Sequence, residues 1–207
     1  MGNLVDVHII VGNKEKWLPE CLESLEHQPI NIHFVDRIEG NVAKAREIGF
    51  SKGTCEYVSF VDPDDLVYPG VFIKCLGEIW QNPSCVGVYT NDMLIDEQGQ
   101  FIGYGWGMNQ EPFDEMGFPP ELTNGIHHLR VFKREAVNKC LPLKHKMIPE
   151  PLLNTEIQNH GRLIHIPVIG YKWRMHKQNT FTKYKREELE QAVEIAKELN
   201  GPIKSIR

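Results

Sequence analysis

The segment EYVSFVDPDD, residues 56 to 65, ends a strand-forming run in three carboxylates, Asp62, Asp64 and Asp65. Like charges packed this closely repel unless a positive group lies among them. A D-x-D at a strand-to-loop corner offers hard oxygen ligands to one divalent cation. Mg2+ and Mn2+ suit carboxylates and phosphate oxygens, and they keep positions for water or substrate. Such an ion would bridge the chain to a diphosphate. The same residues also suit a plain turn, because Asp and Pro are turn formers and Asp65 can cap a following helix. On these residues alone both readings are open.

The elements around the cluster say where it sits. Val5 to Val11 is a short β-branched run, read as a strand. Trp17, Leu18, Cys21, Leu22 and Leu25 then share one helical face, with Pro19 in the first turn. Asn31 to Asp36 is a second strand, Val42 to Gly49 a second helix, and Glu56 to Val61 a third strand. Val71 to Trp80 and Cys85 to Thr90 continue the alternation with a helix and a strand. This order predicts an α/β fold with a mostly parallel sheet and helices on both faces. Ligands of such sheets gather at the carboxyl ends of the strands. Gly12-Asn13, Asp36 and Asp62 to Asp65 all fall there.

The second half is less regular. IDEQGQFIG, residues 95 to 103, predicts a hairpin turning at Glu97 to Gly99. Residues 103 to 121 are rich in glycine, proline and aromatics, which suits a binding loop or lid. Ile126 to Phe132 is read as a strand and Arg134 to Lys139 as a short helix. A helix opened by Pro151 runs to about His160, with Gly161 as its stop. Leu163 to Tyr171 is strand-like but interrupted at Pro167, and Leu189 to Leu199 forms an amphipathic helix ending at Asn200-Gly201.

Composition narrows the class. With 207 residues, 41% hydrophobic and 25% charged, the chain suits one globular domain spanning 1 to 207. The net charge of −5 gives no general attraction to nucleic acid or anionic membrane. The five cysteines are odd in number and widely spaced, with no CxxC, so they read as reduced core residues. The first residues do not form a signal peptide, and no apolar run approaches a membrane span. A cytoplasmic location is the expectation.

Several segments, in order, resemble the family 2 glycosyltransferases, which have the GT-A fold. WLPECLESLEHQ (17 to 28) is similar to that family's first helix, and FVD (34 to 36) to the strand ending in a base-contacting Asp. AKAREIGFSKGTCEYVSFVDPDD (43 to 65) resembles the long signature that closes on the acidic cluster. IDEQGQFIG matches the common hairpin, and YKWRMHKQNT (171 to 180) the closing YRxHxxN. The resemblance implies a Rossmann-like nucleotide-sugar half over 1 to 92, a smaller acceptor and catalytic half over 93 to 185, and a C-terminal helix over 186 to 200. It implies that Asp62 binds the donor ribose, Asp64 binds Mn2+ or Mg2+, His176 completes that metal site or touches the diphosphate, and Asp36 holds the base. Gly12 and Asn13 can offer backbone groups to the base, and Lys177 joins the donor-binding set. Arg46 either supports the carboxylates as a counter-charge or is simply solvated.

The catalytic base of such a transferase removes the proton of the acceptor hydroxyl. The family places it eleven residues before a helix-ending Gly, and counting back from Gly161 reaches Glu150 in MIPEPLLNTEIQNHG. Here Glu replaces the usual Asp and Pro149 the acid before it. Glu150 can instead be a favourable charge at a helix N-terminus, and Glu156 and Asp114 are substitutes. The first strand ends IVGN and Arg37 follows Asp36, both departures at the base-binding edge.

The resemblance implies an inverting, metal-dependent transferase using a nucleoside diphosphate sugar, with UDP-sugar first. Two alternatives are a sugar nucleotidyltransferase, for which the first loop lacks a glycine-rich basic run, and a nucleotide-sugar-binding module without turnover. The acceptor is a glycan, a small molecule or a modified DNA base. The last is suggested by six Lys or Arg residues with interleaved aromatics between Tyr171 and Arg186, and the net negative charge argues against it.

Overall fold

The computed structural model describes residues 2–12, 16–105, 108, 119, 122, 125–180 and 184–200. Asn13, Asp114, Phe181 and most of the glycine-rich segment after Gly105 lie outside the described residues.

The chain runs β1 (Val5–Val11), α1 (Leu18–Leu25), β2 (Ile30–Asp36), α2 (Val42–Ser51), β3 (Tyr57–Phe60), β4 (Leu66–Val67) and α3 (Val71–Gln81). It continues through β5 (Cys85–Ile95), β6 (Phe101–Tyr104), β7 (Arg130–Lys133), α4 (Arg134–Lys139), α5 (Pro149–Ile157), β8 (Arg162–Arg174) and α6 (Arg186–Asn200). The strands form one sheet in the order β2-β1-β3-β7-β5-β8-β4, with β6 paired to β5.

The sheet is mixed rather than mostly parallel. β1 is parallel to β2 and β3, and β5 to β8. β7 enters between β3 and β5 antiparallel to both, placing Tyr57 opposite Lys133 and Val88 opposite Val131. Alternating apolar residues announce a strand but not its direction, so the sequence pattern does not reveal this insertion. Leu66–Val67 is another added strand, antiparallel to β8, and too short to carry a pattern.

β8 keeps its pairing with β5 through a bulge. Thr90 lies opposite Ile166 and Asn91 opposite Ile169. Pro167, which has no N–H to give, sits in the displaced stretch, as prolines within sheets do. The hairpin forms as expected, with Gly99 at φ 82° and its N–H donating to the Asp96 carbonyl at 3.1 Å. α5 begins at Pro149, two residues before the expected start. Both prolines fall in the first turn, where an N–H has no helical partner.

Side chains alternate across β3. Tyr57 joins a core with Cys21 and Leu25 of α1 and Phe72 and Leu76 of α3. Val58 and Phe60 face a second core with Phe50 of α2, Val137 of α4 and Leu153 of α5. Helices therefore cover both faces, which leaves strand ends and loops as the free rim. A third cluster, including Leu152, Ala192 and Ala196, docks α6 onto α5. Four of the five cysteines are buried, and all five are free thiols.

Candidate functional site

β3 delivers the acidic cluster to that rim, and the fold divides its three carboxylates among different partners. Asp65 is fully buried. Its Oδ2 accepts from the Tyr171 hydroxyl at 2.8 Å and its Oδ1 from the Arg174 N–H at 2.8 Å. The same Tyr171 oxygen accepts the Asp62 N–H at 3.1 Å. Burial, followed by the Asp65 charge, pushes the Tyr171 phenol well above its ordinary pKa, so it stays a donor. Arg174, also fully buried, donates from Nε to the Asp64 carbonyl at 2.8 Å and from Nη2 to Glu20 at 2.8 Å. Asp65, Tyr171 and Arg174 thus clamp the loop backbone, and Asp62 and Asp64 are the carboxylates held at the site.

Asp62 meets Arg46. The guanidinium donates from Nη2 to Asp62 Oδ1 at 2.5 Å and from Nε to Glu150 Oε1 at 2.9 Å. Burial alone would lower the Arg46 pKa, but Asp62 and Glu150 outweigh it and the net shift is upward. Arg46 reaches them because α2 lies close on β1. Asn41 caps the helix, its Oδ1 accepting the Lys44 N–H at 3.0 Å. One turn after Arg46, Gly49 leaves room for the buried His8 ring, which a Cβ at that position would meet at 2.3 Å. Burial, then the Arg46 charge, holds His8 well below its ordinary pKa, so the ring is neutral.

Asp64 meets His176. His176 Nε2 lies 2.7 Å from Asp64 Oδ2, with both side chains 1% exposed. His176 Nδ1 accepts the Gln178 N–H at 3.1 Å, which assigns the proton of a neutral ring to Nε2, facing the carboxylate. Asn179 fixes the turn, accepting the His176 N–H at 2.6 Å and donating to the Arg174 carbonyl at 3.0 Å. Trp17 packs on the imidazole with centroids 4.5 Å apart.

Among the described residues no group of three or more His, Cys, Asp or Glu side chains is arranged to hold a metal. Asp64 and His176 nonetheless bring a carboxylate oxygen and an imidazole nitrogen together. With the Nε2 proton released, that pair would fit Mn2+ or Mg2+ as one oxygen and one nitrogen ligand.

Asp62, Asp64, Arg46 and Glu150 line one cavity together with Arg130 and Tyr184. Burial and then the Glu150 charge push the Tyr184 phenol upward, so it too remains protonated. Arg37 and Ile38 line the end of the cavity near β2. Asp36 is exposed at the end of β2, Gly12 is exposed at φ 134°, and Lys177 is exposed. None of these three is among the cavity's lining residues. Glu156 is directed elsewhere, paired with Lys144 at 3.3 Å. The basic-aromatic segment is no continuous outer track, because Tyr171, Trp173 and Arg174 are all buried.

Tyr171, Arg174, Arg130, Asn154 and the His127-His128 pair were not singled out from sequence. Tyr171 and Arg174 fall inside the YKWRMHKQNT segment, which was the available signal. Arg130 and the histidines lie in a stretch whose pattern reports only a strand.

The family model described as "Glycosyl transferase family 2" matches residues 30–141, more than half of the 207-residue chain. The chain belongs to glycosyl transferase family 2. Among family-like relatives, Escherichia coli chondroitin synthase is 25% identical over 214 residues, covering 87% of this chain and 30% of that protein. Pasteurella multocida (strain Pm70) chondroitin synthase is 23% identical over 189 residues, covering 87% of this chain and 19% of that protein. The chain therefore spans less than a third of either relative.

Solved structures agree on the fold. S. aureus TarS 1-349 in complex with UDP-GlcNAc superposes with TM-score 0.66 at 12% identity, covering 93% of this chain and 66% of that one. A mannosyltransferase from Pyrobaculum calidifontis in complex with GDP-Man and Mn2+ gives TM-score 0.60 at 14% identity, covering 97% and 70%. At such identities the likeness concerns the GT-A fold. No helix among the described residues is long and apolar enough to cross a membrane.

Proposed function

We propose that this family 2 chain transfers a sugar, with inversion, from a nucleoside diphosphate donor to an acceptor hydroxyl. A UDP-sugar is the first candidate donor, and Mn2+ or Mg2+ the required cation. Supporting this are family membership and nucleotide-sugar complexes of two proteins of the same fold. The observation that carries it is the cavity in which one buried guanidinium, Arg46, joins Asp62 of the acidic loop to Glu150 of α5.

In the proposed mechanism Asp62 accepts a hydrogen bond from the donor ribose, and Asp64 with His176 holds the cation. A cation held there would offset the charge that develops on the leaving diphosphate. Arg46 fixes Glu150 by Oε1. Glu150 Oε2, which has no hydrogen-bond partner among the described residues, takes the proton of the acceptor hydroxyl. The acceptor oxygen bonds to the anomeric carbon, and the bond from that carbon to the diphosphate oxygen breaks with its electron pair on the diphosphate. Attack opposite the leaving group inverts the configuration. Asp36, Gly12 and Lys177 would reach the donor only from the outer edge, and Arg37 and Ile38 replace them as the nearer neighbours of the base. Residues 1–92 then serve the donor, 93–185 the acceptor and the base, and 186–200 brace α5.

The test is a thermal-shift screen of sugar nucleotides with and without Mn2+, followed by NMR of the product anomer from the donor that binds. A Mn2+-dependent shift and an inverted product are expected. A retained anomer would remove Glu150 from the role of base.

A further inference from the structure

The cavity holds two buried guanidiniums, and their surroundings differ. Arg46 is neutralised by Asp62 and Glu150. Arg130, at the start of β7, is 3% exposed and lines the same cavity. Among the described residues it forms no ion pair with a carboxylate. Its Nη1 donates to Asn154 Oδ1 at 3.2 Å, its Nη2 lies 3.4 Å from both ring nitrogens of His128, and its plane lies over Phe60 at 4.7 Å. Among the described residues its Nε has no hydrogen-bond partner. None of these neighbours carries negative charge.

Burying a cation away from a counter-ion is costly unless something else supplies one. Burial, opposed by Glu150 at longer range and assisted by Arg46, pulls the Arg130 pKa down to about 10. At neutral pH the group is still charged. Its neighbour Asn154 is 1% exposed and fixed in orientation, because its Nδ2 donates to the Ile126 carbonyl at 3.0 Å and leaves Oδ1 toward Arg130. A planar cation with unused donors, held rigid in a cavity, matches a carboxylate in charge and shape.

We propose that Arg130 forms an anion subsite of the cavity, taking the carboxylate of an acidic sugar. The subsite rests on the sugar-transfer reading. That carboxylate belongs either to the donor sugar or to the acceptor. The diphosphate is served separately, at Asp64 and His176, so Arg130 is left to distinguish the sugars.

The test is calorimetric, with Mn2+ present throughout. In one arm the wild-type protein is titrated with UDP, UDP-glucose and UDP-glucuronate. In the other, UDP-saturated protein is titrated with glucose and with glucuronate. The carboxylated ligand of one arm is expected to bind about tenfold tighter or more than its neutral counterpart, the gain of one charge-assisted contact. Preference in the first arm assigns the carboxylate to the donor, and preference in the second to the acceptor. Arg130→Gln should abolish that preference, leave UDP affinity unchanged and not lower the melting temperature of the ligand-free protein. Arg130→Lys should keep part of the preference. UDP binding without preference in either arm overturns the subsite alone, and no UDP binding overturns the donor reading with it. An Arg130→Gln variant that loses UDP affinity would make Arg130 a diphosphate contact, and one that melts lower with its preference intact would make it a brace. Either result contradicts the subsite.

Discussion

At the scale of single residues, the proposed mechanism gives each charge of the site one task. Glu150 is tied by Oε1 to Arg46, and the proposed proton transfer uses the other oxygen. Glu150→Gln keeps the size and the bond to Arg46 but cannot take a proton. It should lower kcat by about 10²- to 10⁴-fold with donor affinity unchanged, as single-turnover assays and donor titration can check. Arg46→Met removes the cation between two carboxylates. Breaking a buried ion pair from one side costs about 3–5 kcal/mol, so urea denaturation should show a loss of that size. That Asp62, Asp64, Glu150 and His176 come to one rim was legible in the sequence, because they lie in segments with recognisable spacing, and of the two readings of Arg46 the structure shows the counter-charge, paired with Asp62 and Glu150. The clamp made by Asp65, Tyr171 and Arg174 was not. Tyr171 and Arg174 are over a hundred positions from the loop they hold, and nothing local in YKWR reports that contact.

At the scale of elements, the helices and strands set the distances. Gly49 lets α2 settle on β1 over the His8 ring. Gly49→Ala would place a methyl group into that ring, and overpacking of this kind costs about 1–3 kcal/mol. The variant should melt lower and lose turnover, since moving α2 moves Arg46. The amino ends of the strands carry a separate ionic tie. Asp6 of β1 accepts from Arg134 at 2.5 Å, from the Cys55 N–H at 2.7 Å and from Asn31 at 3.0 Å, and lies 2.9 Å from His33. Burial raises the Asp6 pKa, but the hydrogen bonds from His33, Asn31 and Cys55 and the Arg134 charge outweigh it, and the net shift is downward. A carboxyl with a depressed folded pKa contributes stability in full above its unfolded value, and that stability is lost as pH falls through the folded value. Asp6→Asn should therefore lower the urea midpoint at about pH 7, and the gap to wild type should close as the pH falls through the depressed folded-state pKa of Asp6. The helices and most strands were legible from periodicity. The direction of β7 was not, because alternation is the same read forward or backward.

At the scale of the whole molecule, the sheet brings the acidic loop after β3, the first turn of α5 and the end of β8 to one rim. These segments are far apart in sequence and carry Asp62 and Asp64, Glu150, and His176. The central claim is that Asp64 and His176 complete a cation site shared with a nucleoside diphosphate. Titration of wild-type and Asp64→Ala protein with UDP, each with and without Mn2+, tests it most directly. Wild-type protein should bind UDP much more tightly with Mn2+ than without it, and the variant should bind weakly and equally in both conditions. UDP affinity that ignores Mn2+, or that survives Asp64→Ala unchanged, would contradict the claim.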